Sequence, residues 1–274
     1  MSGTIDKECY TLGYGPGAMD WMTSRTAEGH GAFLLPYLEK GMRLLDCGCG
    51  PGTLTFGFAQ RIAPGEAIGI DRETSQSEDT AKAARRDDVD NLHFRVGDIY
   101  ALPFDDDSFD IVFASAVLGS VANPDAVVTE MTRVLKPGGY LALKEFDHGG
   151  DIVWPQSEII ARSIELYHRL RTHNGHEARA GRRLKEFVLA AGGPIEYSRA
   201  CYDQPTGPEQ LLPRIERNNR LITEMLGAQY EALGWCSPEE LTEAAEAWTE
   251  FAMNPAAVYV STWFEAIGRK PVSV

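Results

Sequence analysis

The chain has 274 residues, 43% hydrophobic and 24% charged, with 40 acidic against 26 basic side chains and a net charge of −14. That length buries a sizeable core in one large domain or two small ones, while the excess of acid repels phosphate backbones and anionic membranes, so nucleic acid is not an expected partner. No apolar run approaches the roughly 20 residues that span a bilayer, the N-terminus shows neither a basic leader nor an apolar h-region, and the five scattered cysteines (Cys9, Cys47, Cys49, Cys201, Cys236) point to a reducing, cytoplasmic location rather than a disulfide framework.

In chain order, a Gly-rich opening, LGYGPGAMDW, leads into TSRTAEGHGAFLLPYLE, whose apolar positions recur at helical spacing. From Met42 the texture changes. The apolar runs MRLLDC, EAIGID, NLHFRVGD and FDIVFAS read as strands, and TLTFGFAQRI, SQSEDTAKAARRDD and NPDAVVTEMTRVL as the helices between and after them. KPGGYLALKEF is a turn and a fifth strand. Strands alternating with helices in this way predict parallel βαβ units in a doubly wound sheet.

After residue 155 the alternation stops. Helices are expected over 156–173, in GRRLKEFVLAAGG up to a capping Gly pair, over 208–233, and over 238–253 with Ser237 as N-cap and Pro238 at the first helical position. PIEYSRACY and AAVYVSTWFEAIGRK read as the last two strands. No internal repeat or low-complexity linker separates this part as a domain of its own.

The chemistry centres on LLDCGCGPGT, residues 44–53. Zinc takes cysteines in C-x(2 to 4)-C pairs with a second pair elsewhere, and thioredoxin-like redox chemistry takes C-x-x-C. Cys47 and Cys49 are one residue apart, so no metal site is expected. Glycines after the first strand let backbone approach a ligand at the carboxyl edge of the sheet. The pattern D-x-G-x-G-x-G misses the dinucleotide spacing G-x-G-x-x-G, and Asp46 at the strand end disfavours a diphosphate. A nucleoside with a cationic amino-acid tail suits it better.

Four segments in order, LLDCGCGPGTLT, IGIDRE, VGDIYALPFDDDSFDIVFAS and EMTRVLKPGGYLAL, resemble the class I S-adenosylmethionine-dependent methyltransferases, in particular the small-molecule branch of ubiquinone/menaquinone C-methyltransferases. The resemblance is strong over about 42–147. It implies a Rossmann-like, seven-stranded, mostly parallel sheet with the last strand antiparallel and helical cap insertions. Residues 1–41 would be an N-terminal helical lid, 42–150 the cofactor-binding core, and 151–274 the remainder of the same domain, with cap inserts and the last two strands.

Carried over, the resemblance implies these contacts with S-adenosylmethionine. Asp46 accepts hydrogen bonds through water near the amine, with Cys47 beside it, and the backbone of Gly48 and Gly50 packs along the methionine part. Asp71 takes both ribose hydroxyls, Arg72 stacks on adenine, Asp98 accepts from the exocyclic amine, and Ile99 supplies apolar contact and a backbone amide. Ala114 and Ser115 border the methionine portion. In the lid, Tyr14 and Arg25 are candidates for the donor's carboxylate and the acceptor pocket, and read equally as a packed tyrosine and a solvated arginine.

Methyl transfer from a sulfonium is an in-line displacement that needs a base only when the acceptor loses a proton. Histidine is the side chain whose unperturbed pKa lies near neutrality, so His148 is the candidate base, and Asp147 is a candidate substrate or cofactor contact, both after the fifth strand. Relatives carry a histidine after the fourth strand where Gly119 and Ser120 stand here. Aromatic residues of the inserts (Trp154, Tyr167, Trp235, Trp248) read as core or as walls of an apolar acceptor pocket. The expected activity is methylation of O, N or C of a small, largely apolar molecule. The same fold also accommodates a non-methylating cyclisation or rearrangement, and a nicotinamide oxidoreductase is disfavoured by the loop spacing. Oligomeric state is not legible.

Overall fold

A computed structural model describes residues 11, 16–73 and 78–272. Eight strands form one sheet in the order β3-β2-β1-β4-β5-β8, with β6 and β7 also paired to β8. The first five are β1 (Leu44–Cys47), β2 (Ala67–Asp71), β3 (Leu92–Val96), β4 (Phe109–Ser115) and β5 (Leu135–Phe146), all parallel. The long β8 (Val258–Arg269) runs antiparallel to β5 and to β7 (Ile195–Asp203).

The expected seven strands become eight. The extra strand, β6 (Ile152–Trp154), is three residues long and pairs with Val258–Val260, just beyond the point where β5 leaves β8 at Trp263. Its sequence, IVW between two glycines and a proline, is too short to carry a period of two.

Helices α2 (Thr53–Ile62), α3 (Glu78–Arg86) and α4 (Pro124–Val134) occupy the predicted connections. The sheet buries apolar side chains on both faces. One face packs Leu45, Ile68, Val112 and Leu143 with α4, and the other packs Leu44, Phe113 and Ile267 with Phe58, Ala59 and Ile62 of α2. Burial on both faces explains why these strands read as continuous apolar runs instead of alternating ones.

The N-terminal segment departs from its helical pattern. Helix α1 spans only Pro16–Thr23, and residues 24–41 follow as turns and a 3-10 turn at Leu35–Tyr37. Ala27, Phe33 and Leu34 are buried against α2, so tertiary packing overrides a periodicity that Gly29, Gly31 and Pro36 already weaken.

The late inserts are α5 (Glu158–His173), α6 (Leu184–Ala190), α7 (Pro208–Leu221), α8 (Gly227–Ala232) and α9 (Pro238–Met253). α9 opens with the Ser237/Glu240 capping box at the predicted N-cap. The long helix expected over 208–233 is interrupted by a π-helical turn at Ile222–Leu226, a feature that concentrates at functional sites. α5, α7 and α9 share a small core of their own around Ile160, Ile215, Trp248 and Phe251. No helix among the described residues is long and apolar enough to cross a membrane.

One glycine shows how tightly the first loop is built. Gly52 caps α2 in the left-handed region (φ 79°), and a Cβ there would lie 2.3 Å from the Phe94 ring. Left-handed backbone costs a β-carbon residue about 1–2 kcal/mol before any clash. Gly52→Ala is therefore expected to lose about 2 kcal/mol or more, read as a lower urea midpoint at unchanged slope.

Candidate active site

The loops that leave the carboxyl ends of β1, β2, β3 and β4 surround a cavity of about 410 Å³, where doubly wound sheets place their ligands. Asp46, Gly48, Gly50, Asp71, Arg72, Asp98, Ile99 and Ser115 line it, together with Arg25 from the segment after α1. Gly48 (φ 72°) lets the loop turn where a Cβ would meet Val117 at 2.6 Å.

Asp46 is 2% exposed and accepts a 2.6 Å hydrogen bond from Thr55 Oγ1. Burial pushes its carboxyl up to about 7, partly offset by the Thr55 hydrogen bond and reinforced by the charge of Asp71. Asp71 accepts from Gly50 N–H through Oδ2 (2.9 Å) and from Glu73 N–H through Oδ1 (3.0 Å). Burial raises its carboxyl despite those bonds. Asp98 accepts from Tyr100 N–H at 2.9 Å.

Two expected neighbours face elsewhere. The side chains of Cys47 and Ala114 pack in the core cluster, because strand alternation turns them away from the cavity that Asp46 and Ser115 line; Cys49 and Ala116, past the strand ends, line it as well. Ala116 sits at φ 58°, a strained conformation for a residue with a β-carbon and one that clusters at ligand sites. No local sequence signal announces it. Tyr14 lies outside the described residues.

A second cavity of about 190 Å³ opens among β5, β8, α5 and α7, and shares Trp21 with the first. Phe146, Tyr167, Trp248, Tyr259 and Trp263 give it aromatic walls, and His148, Asp151, His168, Arg214, Arg217 and Asn218 supply polar groups. Trp154 is 68% exposed and Trp235 packs with Leu166 and Tyr230 in a separate cluster; neither lines this cavity.

His148 faces this space. Its Nδ1 lies 2.7 Å from Asp151 Oδ2, and its ring stacks on Phe146 at 4.7 Å. Asp147 does not fit its expected role. It is 1% exposed, is clamped by Arg182 through Nε and Nη2 at 2.7 Å each, and lines neither cavity. Burial works to raise its carboxyl, yet the Arg182 contacts hold it below the usual range. It anchors the turn that presents His148.

Arg25, a candidate from the sequence, stands among several groups near both cavities, of which His30, Glu145 and Arg171 were missed by sequence reasoning. The Arg25 guanidinium lies 3.8 Å from the Trp21 ring centroid and 5.3 Å from that of Trp263. His30 Nε2 is 2.8 Å from Ser115 Oγ, and burial, with Arg25 and Lys144 nearby, lowers its pKa far enough to keep it neutral. Glu145 and Arg171 are both essentially inaccessible and both hold Gly119, whose N–H donates to Glu145 Oε2 at 3.0 Å. Arg171 Nη2 donates to Gly119 O and to Ser120 Oγ, and its guanidinium lies 4.4 Å from the Phe146 ring. Among the described residues no group of three or more His, Cys, Asp or Glu side chains could hold a metal ion.

A glycine loop at the carboxyl edge of a doubly wound sheet, with a cavity beside it and an aromatic cavity alongside, defines the Rossmann-like class. The chain belongs to the methyltransferase family: the family model described as "Methyltransferase domain" matches residues 38–192, more than half of its length. It is 34% identical over 197 residues, 70% of each chain, to a protein of Schizosaccharomyces pombe named an uncharacterized methyltransferase. It is also 34% identical over 129 residues to the ubiquinone/menaquinone biosynthesis C-methyltransferase of a Ruegeria species, 47% of this chain and 46% of that one.

Among solved structures, a phosphoethanolamine N-methyltransferase of Haemonchus contortus, bound to S-adenosylhomocysteine, shares the fold. Its TM-score is 0.58 at 19% identity, over 93% of this chain and 56% of that one. The protein is a methyltransferase enzyme that uses S-adenosylmethionine.

Proposed function

We propose that the protein transfers the methyl group of S-adenosylmethionine to a small, largely apolar organic molecule held in the second cavity. The observation that carries this reading is the adjacency of the two cavities: one lined by carboxylates and the glycine loop, the other by aromatic rings, with Trp21 common to both.

The first cavity suits the donor. Asp46 is a buried carboxyl with a single neutral side-chain partner, so a cationic amine nearby favours its ionised form. Asp71 keeps further lone pairs on both oxygens for neighbouring hydroxyls. Arg72, Asp98 and Ile99 stand together on the loops after β2 and β3, as an adenine site requires. When bound, the donor supplies an electrophilic methyl group; the protein's share is to position both partners and exclude water. The segment through α1 places Trp21 and Arg25 over this junction and serves as its lid. With a net charge of −14 and four described cysteines all free, a small acceptor in a reducing, cytoplasmic setting is part of the same reading.

Titrating the purified protein with S-adenosylmethionine by calorimetry tests the donor site. Asp46 is protonated below about 7 and ionised above it, so affinity is expected to tighten as pH rises from 6 to 8; a flat profile would remove Asp46 from the amine site. The mass of a turnover product separates methylation, which adds one methylene, from rearrangement, which adds nothing.

A further inference from the structure

Resting on the methyltransferase reading, we infer that the acceptor is a compact phenol, deprotonated by His148 and methylated on oxygen. His148 and Asp151 form a built pair. Asp151 Oδ1 accepts the Thr262 N–H at 2.7 Å while its Oδ2 meets His148 Nδ1. A carboxylate fixed at both oxygens holds Nδ1 as the donor, which leaves Nε2 of the neutral ring as an acceptor. Nε2 has no hydrogen-bond partner among the described residues, and the ring lines the aromatic cavity.

A base is required only where the acceptor surrenders a proton as it reacts. A neutral amine arrives with its lone pair available and needs no such device. An aliphatic alcohol is too weak an acid for an imidazole to ionise appreciably, whereas a phenol, with an ordinary pKa of about 10, lies within reach. The walls agree: Trp21, Tyr167, Trp248, Tyr259 and Trp263 offer flat rings, and an engineered apolar cavity of about 150 Å³ holds one benzene, so about 190 Å³ suits one substituted ring. Asn218 brings an amide with no partner among the described residues to the same cavity, suited to a second polar substituent.

The charged and titratable groups that face His148 are Asp151, Tyr167 and His168, with Arg214, Arg217 and Tyr259 across the cavity. Burial, then His148 itself, lowers the pKa of His168 and keeps it neutral, so it does not oppose a charge on His148. In the step, the phenolic proton passes to His148 Nε2. The oxygen's electron pair forms the new O–CH₃ bond as the S–CH₃ bond breaks, its pair staying on sulfur as a neutral thioether. The imidazolium, balanced by Asp151, then returns its proton to water. His148 is the catalytic residue and Asp151 its positioning residue.

The test begins without donor, using 4-nitrophenol, whose phenolate is yellow. Wild-type protein is expected to lower its apparent pKa by about one unit, a tenfold shift, and His148→Gln to abolish the shift while retaining the wild-type melting temperature and S-adenosylmethionine affinity. With donor and a panel of one-ring phenols, products should carry a methoxy group by NMR. Turnover should fall about 10²–10⁴-fold in His148→Gln and less in Asp151→Asn, which also displaces the pH profile. Unchanged turnover in His148→Gln, ring-carbon methylation, or turnover of amines without phenols would overturn the inference. If S-adenosylmethionine does not bind the wild type, the donor-site reading fails instead, and the nitrophenol titration still decides whether His148 acts as a base.

Discussion

Asp71→Ala is expected to weaken S-adenosylmethionine binding about 10²–10⁴-fold in a protein that remains folded. Hydrogen bonds to a charged group contribute about 1.5–3 kcal/mol each, and a carboxylate at the end of β2 is placed to take two neighbouring hydroxyls, about 3–6 kcal/mol in all. The same side chain also accepts from Gly50 and Glu73 N–H groups, so its removal loosens the loop that faces the ligand. Those two amides can turn to water in the open cavity, which keeps the cost to the fold small. Asp71→Asn retains one acceptor oxygen and should fall between. Calorimetry decides the matter: wild-type affinity in Asp71→Ala would remove this residue from the donor site.

Arg171→Met is expected to be the most destabilising single change in the cap region, at about 3–5 kcal/mol. Arg171 is 0% and Glu145 1% exposed. Removing the cation leaves Glu145 buried with the Gly119 and Phe146 N–H groups as its hydrogen-bond partners among the described residues and the Arg25 charge nearby, and frees the Gly119 carbonyl and Ser120 hydroxyl that Arg171 now holds. For a chain of this size that corresponds to a fall in melting temperature on the order of 10 °C.

The loss should depend on pH. Burial raises Glu145 from 4.5 to about 7, against the lowering influence of the Gly119 N–H and then Arg171. Between those values the folded chain keeps a proton that the unfolded chain has released, so stability from this group falls as pH rises through the window and levels off above it. Without Arg171 the folded value moves higher and the window extends upward. The deficit should therefore be larger at pH 8 than at pH 5, and Glu145→Gln in the same chain should recover part of it at pH 8. Equal losses at both pH values would show that Arg171 acts through packing alone.

The two cavities differ in how far they were legible. The first cavity is a local matter: Asp46 and the glycines after β1, Asp71 at the end of β2 and Asp98 after β3 lie at strand ends, and strand ends are set by hydrophobic runs that the sequence displays directly. The side chains of Cys47 and Ala114 turn into the core while those of Asp46 and Ser115 line the cavity, because side chains alternate along a strand. At the second cavity, Asp147 and His148 are adjacent in sequence, yet one is locked to Arg182, 35 residues away, and the other opens into the cavity. Asp151 carried no signal as its partner.

The alternation of β1–β5 with α2–α4, the glycine loop and the class of cofactor followed from the sequence, because each rests on short-range patterns of burial and turn chemistry. Only the tertiary structure decided that Trp21 lines two cavities, that Arg171 reaches Gly119 from 52 residues away, and that His148 rather than Asp147 lines the second cavity. Those contacts join segments remote in the chain, and no local pattern encodes which remote side chain will fill a given gap in a close-packed interior.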